Sequence, residues 1–231
     1  MAQKKPKKKK SKKGSLVKEK RQELRGNELK KYSHLQHSSF EITGEPIEDP
    51  SIPDELKDEA EILFEKCLNT PAFAVERLEA LIKKYPNIPV FYNYISVAYS
   101  RMGDREKTKH YVEANYRNNP RYLFAKLNYA EICMNEGNYD KIPEILENKF
   151  IIKVLYPERN VFHITEMVNF TGIVGLYFAH IDNREQVEMN YNILKQLAPK
   201  HPFTKKLNRY LIFYSVKSGI NKLMGGTGKD K

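Results

Sequence analysis

The stretch that decides the fold runs from Asn87 to Phe150 and reads NIPVFYNYISVAYSRMGDREKTKHYVEANYRNNPRYLFAKLNYAEICMNEGNYDKIPEILENKF. Turn residues recur in or beside it at one interval, because Gly103 and Gly137 are 34 residues apart and so are Pro86 and Pro120. A fixed period of this length is typical of stacked helical hairpins. The stretch therefore predicts a scaffold of repeated helix pairs, a kind of architecture that implies no chemical reaction.

Apolar residues follow helical spacing on both sides of these glycines. We predict four helical hairpins and a final helix, over residues 56–68 and 71–85, 90–102 and 104–118, 122–136 and 139–148, 163–180 and 184–197, and 203–216. Thr70 is the predicted N-cap before Pro71, and proline suits the first position of a helix. Gly103 and Gly137 lack a Cβ, which permits the left-handed conformation that ends a helix.

The period is interrupted once, after Phe150. Pro120 and Pro199 are 79 residues apart, eleven more than two periods, so we place an insertion near residues 150–162. Its apolar residues are too numerous for an exposed loop; they are Ile151, Ile152, Val154, Leu155 and Tyr156. Two interpretations are open. These side chains either pack into the helical domain, which we favour, or form a partner-binding patch.

The net charge of +11 is concentrated in the N-terminal tail. Residues 1–31 hold 14 Lys or Arg and three Glu, whereas the rest of the chain holds 26 basic and 26 acidic residues. We predict that this tail is disordered, with a nascent helix at best from Ser15 to about Tyr32. Its lysines are candidates for contact with a polyanion such as RNA, a ribosome or an anionic membrane surface, the alternative being a tail that only solubilises the protein. The candidates are Lys4, Lys5, Lys7, Lys8, Lys9, Lys10, Lys12 and Lys13.

Composition divides the remaining chain. Residues 32–53 are rich in Ser, Gly and Pro and are predicted to be a linker, residues 54–223 form the helical domain, and residues 224–231 are a flexible tail. No run of apolar residues is long enough to cross a membrane, and no secretory signal is recognisable. Cys67 and Cys133 fall in apolar helical patterns and are interpreted as core residues in a reducing compartment. We therefore predict a cytoplasmic protein without a transmembrane segment.

The predicted pairs resemble the tetratricopeptide repeat (TPR) family, whose unit has an aromatic, an apolar and a small residue, a second aromatic and a closing proline. The second pair matches with Tyr92, Ile95, Ser96, Tyr99, Thr108, Val112 and Pro120. The fourth matches with Thr171, Val174, Gly175, Phe178, Val187, Tyr191 and Pro199. The third matches in part, with Tyr129, Ala130, Cys133, Ile142 and Leu146. About four repeats over residues 54–201 are covered.

Two departures from the TPR pattern stand out. Lys126 occupies the first aromatic position of the third unit. Acidic residues occupy apolar positions in the first helix of the first unit, which predicts that this helix is rotated or frayed; they are Asp58, Glu61 and Glu65. Both departures weaken the match at particular repeats without changing the period.

The resemblance implies an all-α protein, a right-handed α-solenoid of antiparallel helical hairpins closed by a C-terminal capping helix. It also implies that the first helix of each hairpin lines an inner wall that binds an extended peptide or a partner helix. By repeat register the partner-binding residues of that wall are Asn93, Val97, Arg101, Asn128, Glu131, Asn135, Leu176 and His180. Gly172 also falls on the wall and would offer a partner only its backbone. Chaperone-tail binding is not implied, because Val97 and Glu131 stand where that carboxylate clamp would need Asn or a neutral side chain.

Catalysis and cofactor binding are not predicted. His163 and Glu166 begin a predicted helix, where an acidic residue acts as a cap, and Cys133 fills an aromatic position of the repeat. His34 and His37 lack the Cys or carboxylate partners of a metal site. The sequence holds no paired acid and base, no nucleophile elbow and no cofactor motif, so we predict no enzyme activity, no cofactor and no metal.

The sequence thus leads to a hypothesis of a non-catalytic scaffold or adaptor that binds a protein partner on its concave face, while the basic tail contacts a polyanion. The alternative is a nucleic-acid- or ribosome-associated factor in which the Lys-rich tail supplies most of the affinity. Deleting residues 1–31 distinguishes the two, because only the second hypothesis requires the tail for binding.

Overall fold

The protein is predominantly helical, as the sequence predicts. The computed structural model describes residues 40–225, with side chains through Val216. Within this range the secondary structure consists of β1 Glu41–Thr43, α1 Asp54–Asn69, α2 Pro71–Lys84, α3 Pro89–Arg101, α4 Arg105–Asn118, α5 Leu123–Asn135, α6 Lys141–Ile145, α7 Ile152–Leu155, β2 Val161–His163, α8 Ile164–His180, α9 Arg184–Leu197 and α10 Pro202–Gly225. The predicted tail contacts, the nascent helix, His34 and His37 lie outside the described residues, as do residues 226–231 of the predicted C-terminal tail.

The helices contact one another in a regular order. Each of α1, α3, α5 and α8 packs on the helix that follows it, and α1 contacts α3, α3 contacts α5, α5 contacts α8, and α8 contacts α10. The first helices of successive pairs are therefore neighbours in a continuous series. The turns also follow the sequence pattern, since Gly103 has φ +78° and Gly137 has φ +80°, both in the left-handed region.

The apolar residues form two clusters. One joins α1, α2 and α3 around Leu78 and Ile95, and the other joins α5 to α10 around Leu127, Ile173 and Leu194. Cys67 and Cys133 are buried in these clusters, as predicted. Burial raises the pKa of the Cys67 thiol to about 11 and also raises that of Cys133, so both thiols stay protonated at neutral pH.

Two of the helices differ from the predicted elements. The second helix of the third pair covers only Lys141–Ile145, because Glu147 and Asn148 adopt φ values of 54° and 56° that no helix continues. Lys126 compensates, since its buried ammonium group donates to the carbonyl oxygen of Ile145 at 3.0 Å. The first helix, Asp54–Asn69, is complete and is rotated rather than frayed, with Leu56, Ala60, Leu63 and Cys67 on its buried side. At the other end, α10 continues through Gly225, beyond the predicted boundary at residue 223.

The predicted linker contains a strand. Glu41–Thr43 pairs in parallel with Val161–His163, and Ile42 lies opposite the fully buried Phe162. Phe40 adds an edge-on ring contact to Phe162 at 5.4 Å between centroids. The Ser and Pro content of residues 32–53 concealed this strand, because its partner lies about 120 residues further along the chain.

The insertion combines the two interpretations that the sequence left open. Ile152 and Leu155 are buried on α7, whereas Ile151 is 59% exposed and Val154 is 52% exposed. The Tyr156 hydroxyl donates to the carbonyl oxygen of Arg121 at 2.9 Å and fixes the insertion to the start of α5. The insertion therefore serves as a packed connection with two exposed apolar residues.

Candidate functional site

A cavity of about 1350 Å³ lies beside the N-terminal ends of α5 and α8. Four parts of the chain surround it: residues 44–50, residues 121–126, residues 155–159 and residues 163–166. Phe64 of α1, Glu147, Lys149 and Leu197 of α9 complete its lining. It exceeds the volume of about 300–1,000 Å³ usual for a small-molecule site.

Residues 44–50 form one side of this cavity and are held at both ends. At one end β1 pairs with β2, and the Nε2 atom of His163 lies 3.3 Å from the carbonyl oxygen of Gly44. At the other end the Glu48 carboxylate accepts a hydrogen bond from Lys57 of α1 at 3.2 Å. The segment thus connects the start of α8 with α1, and the cavity lies between it and the start of α5.

Aromatic side chains form much of the cavity surface. Tyr122, the residue before α5, packs 6.1 Å from Phe124 between ring centroids, and Phe64 lies 5.1 Å from Tyr94 of α3. Burial and the nearby Asp49 carboxylate raise the pKa of Tyr94 to about 12, and burial also raises the pKa of Tyr122. Tyr94 supports Phe64 from behind the lining, whereas Tyr122 offers the cavity an uncharged ring with a hydroxyl group at its end.

Most charges around the cavity are paired. Arg159 donates to both carboxylate oxygens of Glu166 at 3.0 and 2.8 Å, and Lys126 and Lys149 both contact Glu147. Among the charged side chains that the structure describes around this cavity, Asp49, Arg121 and Glu158 have no ion-pair partner, and two of these three are acidic. The cavity is thus suited to a neutral or apolar ligand rather than to a polyanion.

The structure brings two predicted wall residues together. Asn93 of α3 accepts hydrogen bonds from Asn115 at 3.0 Å and from Asn128 of α5 at 3.2 Å. Asn93 also donates to the Tyr122 hydroxyl at 3.3 Å. This amide cluster lies where the two apolar clusters meet, and it links the predicted wall to the cavity through Tyr122.

The other wall residues are not joined to this cluster. Val97 and Leu176 are half-buried, and Leu176 packs against the core. Four residues near the C-terminal ends of their helices are exposed; they are Arg101, Glu131, Asn135 and His180. His180 is stacked on Tyr139 with 4.0 Å between ring centroids, so its ring face is occupied.

The prediction that Gly172 lines an open wall is wrong. Gly172 is buried, and a Cβ atom built on it would overlap the ring of Phe203 and lie 2.9 Å from the Phe203 Cβ. The C-terminal helix covers this part of α8, which repeat register alone did not reveal. Gly175, the small residue of the fourth unit, also lies at a close helix contact, because a Cβ built on it would lie 3.1 Å from the Asn190 Cβ of α9 and 2.5 Å from Leu207 of α10.

The residues weighed for catalysis have structural surroundings. The Glu166 carboxylate accepts from the backbone nitrogen of His163 at 2.9 Å, which is the predicted capping contact, and it also pairs with Arg159. Cys133 is 2% exposed inside the larger apolar cluster. In the described part of the chain, residues 40–225, no group of three His, Cys, Asp or Glu side chains is arranged to hold a metal ion.

Sequence reasoning missed the residues that surround the cavity. Tyr122 and Phe124 were interpreted as the start of a repeat helix, and residues 44–50 were assigned to a linker. One signal was present, because the apolar residues of the insertion suggested that it packs against something. The position of residues 44–50 depends on the β1–β2 pairing, which has no local signature in the sequence.

Comparison with known proteins gives no match. No family model matches the chain, and no curated protein or solved structure matches it. Between residues 40 and 225, none of the helices is long and apolar enough to cross a membrane.

Proposed function

We propose that this protein is a non-catalytic adaptor of the TPR type, which binds an extended peptide or a partner helix of another protein on its inner face. In this proposal the four helix pairs form a right-handed α-solenoid, and α10 is its capping helix. The order of helix contacts supports it, since the first helices of successive pairs follow one another as neighbours. The 34-residue spacing and the small residues at helix contacts add further support.

The observation that carries the proposal is the cavity at the start of α5. Its aromatic faces and paired charges suit apolar side chains of a peptide, and its volume of about 1350 Å³ suits a segment of several residues better than a small molecule. The Tyr122 hydroxyl lines the cavity and accepts from Asn93, so its own O–H can donate to a carbonyl oxygen of a peptide. A peptide would extend from this cavity along the wall toward Arg101 and Glu131, which are exposed.

The basic tail has a separate proposed role. Residues 1–31 carry a net charge of +11, and contact with a polyanion would fall in affinity as salt rises. The alternative function, a nucleic-acid- or ribosome-associated factor, relies on this tail. A cytoplasmic location and the absence of cofactors belong to the same proposal.

A peptide-binding measurement tests the proposal. Peptides of about ten residues are selected from a displayed library on the full chain, and the affinity of the best one is measured by fluorescence anisotropy. We expect the double variant Arg101→Glu/Glu131→Lys to weaken binding at least about tenfold, as loss of one or two charged contacts would. Deletion of residues 1–31 should change the dissociation constant by less than about twofold.

The matched control is Arg117→Glu, an exposed residue of α4, the helix of its pair that carries none of the predicted wall residues. It should leave peptide binding unchanged. Binding that is lost on deletion of residues 1–31, falls steeply with salt and ignores the wall variant would favour the nucleic-acid- or ribosome-associated alternative instead.

A further inference from the structure

The last helix exposes a stripe of basic and apolar residues. One side of α10 packs on α8 and α9 through the buried Phe203 and Leu207, and the Tyr210 hydroxyl on that side donates to Asp182 at 2.6 Å. The opposite side carries Lys205, Arg209, Ile212 and Val216, which are spaced so that they share one helix face. Ile212 is 56% exposed, Val216 is 55% exposed, and the neighbouring Phe213 is 68% exposed. No acidic residue occurs between Pro202 and Gly225.

The first helix exposes a stripe of the opposite charge. The buried side of α1 packs on α2 and α3, and its outer side carries Asp58, Glu61, Ile62 and Glu65, again on one helix face. Ile62 is 53% exposed, and Phe73 of the adjoining α2 is 78% exposed. None of these three carboxylates forms an ion pair with any side chain described between residues 40 and 216.

The two stripes lie on the first and the last helix in the series of helix contacts. End units of repeat arrays usually present a polar outer face that keeps the protein in solution. Here the stripe on each end helix instead combines charges of one sign with exposed apolar side chains, and the signs of the two stripes are opposite. Such surfaces are complementary, since the charges select the partner and the apolar residues contribute the buried area.

We propose that the outer stripe of α10 binds the outer stripe of α1 on a second copy of this chain, so that copies associate head to tail. The contact is between two different surfaces, so it leaves one free stripe at each end of a dimer and permits longer assemblies. Because exposed charges contribute, the association should weaken as salt screens them. An anionic lipid surface could also attract α10, and the basic tail of the same chain could cover α1, but neither accounts for both stripes at once.

Sedimentation velocity of the full chain tests this proposal, from about 5 μM to about 500 μM, a range that spans weak specific association. We expect the mean mass to rise with concentration and to fall toward that of the monomer as NaCl increases. Two variants each remove one surface: Ile212→Ser/Val216→Ser on α10 and Asp58→Lys/Glu65→Lys on α1. Each variant alone should remain a monomer. Their equimolar mixture should form a one-to-one dimer and nothing larger, because only one complementary pair of stripes remains.

The control is Glu185→Lys/Glu188→Lys, two exposed residues of α9, which should associate as the unchanged chain does. Far-ultraviolet circular dichroism establishes that every variant is folded. A chain that stays monomeric at the highest concentration overturns the proposal, and so does continued self-association of the α1 variant, which would mean that α10 pairs with itself. Binding of α10 to anionic vesicles while the chain stays monomeric also overturns the proposal. So does association that appears only after removal of residues 1–39, because the tail would then be the occupant of α1.

Discussion

Gly172→Ala should lower the free energy of unfolding by about 1–3 kcal/mol, although alanine ordinarily favours a helix over glycine. The added Cβ would overlap the ring of Phe203, and both residues are buried where α10 packs on α8. To make room for the added Cβ, the Phe203 ring or the whole of α10 must shift. Either shift loses packing contacts around Leu207. Urea unfolding followed by circular dichroism measures the loss.

A double-mutant cycle shows whether the loss comes from this contact. Phe203→Ala removes the Cγ and Cδ2 atoms that the added Cβ would meet, so Gly172→Ala should cost less in that background than in the unchanged chain, by at least about 0.5 kcal/mol. A Gly172→Ala variant as stable as the unchanged protein would contradict the close approach of α10 to α8.

Arg159→Ala should lower the free energy of unfolding by about 2–4 kcal/mol. The guanidinium group forms two hydrogen bonds with the Glu166 carboxylate, whose side chain is only 8% exposed, and it lies 4.4 Å from the centre of the Phe162 ring. Without the guanidinium group, the nearly buried Glu166 carboxylate keeps only one hydrogen bond from the described residues, the one from the backbone nitrogen of His163. Because the Arg159 side chain is itself 32% exposed, we expect a loss toward the lower end of the range.

The same variant should loosen one region more than the rest. Arg159 ties the insertion to β2 and to the start of α8, so amide hydrogen exchange should quicken in residues 41–43 and 155–163 before it quickens in α3 or α4. Lys153 is a useful comparison, since it donates to the carbonyl oxygens of Pro157 and Arg159 within the insertion and not to α8. A stability change below about 0.5 kcal/mol for Arg159→Ala would mean that the pair is worth no more than a surface salt bridge.

The helices of this protein were largely readable from its sequence. Each first helix has apolar residues at helical spacing, and Gly103 and Gly137 mark turns that need positive φ, so local rules were sufficient. Local rules failed after residue 138, where α6 ends early and the buried Lys126 caps it from another helix. They also failed for β1, because a short parallel strand owes its existence to a partner far along the chain.

The site was less predictable than the fold. Repeat register assigned the wall residues to first helices, and the structure has them there, with Asn93 and Asn128 hydrogen-bonded to each other. It could not show that α10 covers Gly172 or that residues 44–50 lie beside the start of α5, since both depend on contacts between distant segments. Thus the residues that surround the cavity, including Tyr122 and Phe124, had been interpreted as helix-forming only.

The proposal that the inner face binds a peptide is tested most directly by photo-crosslinking from inside the cavity. A photoreactive phenylalanine analogue replaces Phe124, and in a second protein it replaces the half-buried Tyr191 of α9, which does not line the cavity. The labelled peptide selected on the full chain is then irradiated with each. We predict that the peptide crosslinks at position 124 and not at position 191, with or without residues 1–31. Crosslinking that is absent at position 124 while the peptide is bound would contradict peptide binding at this cavity.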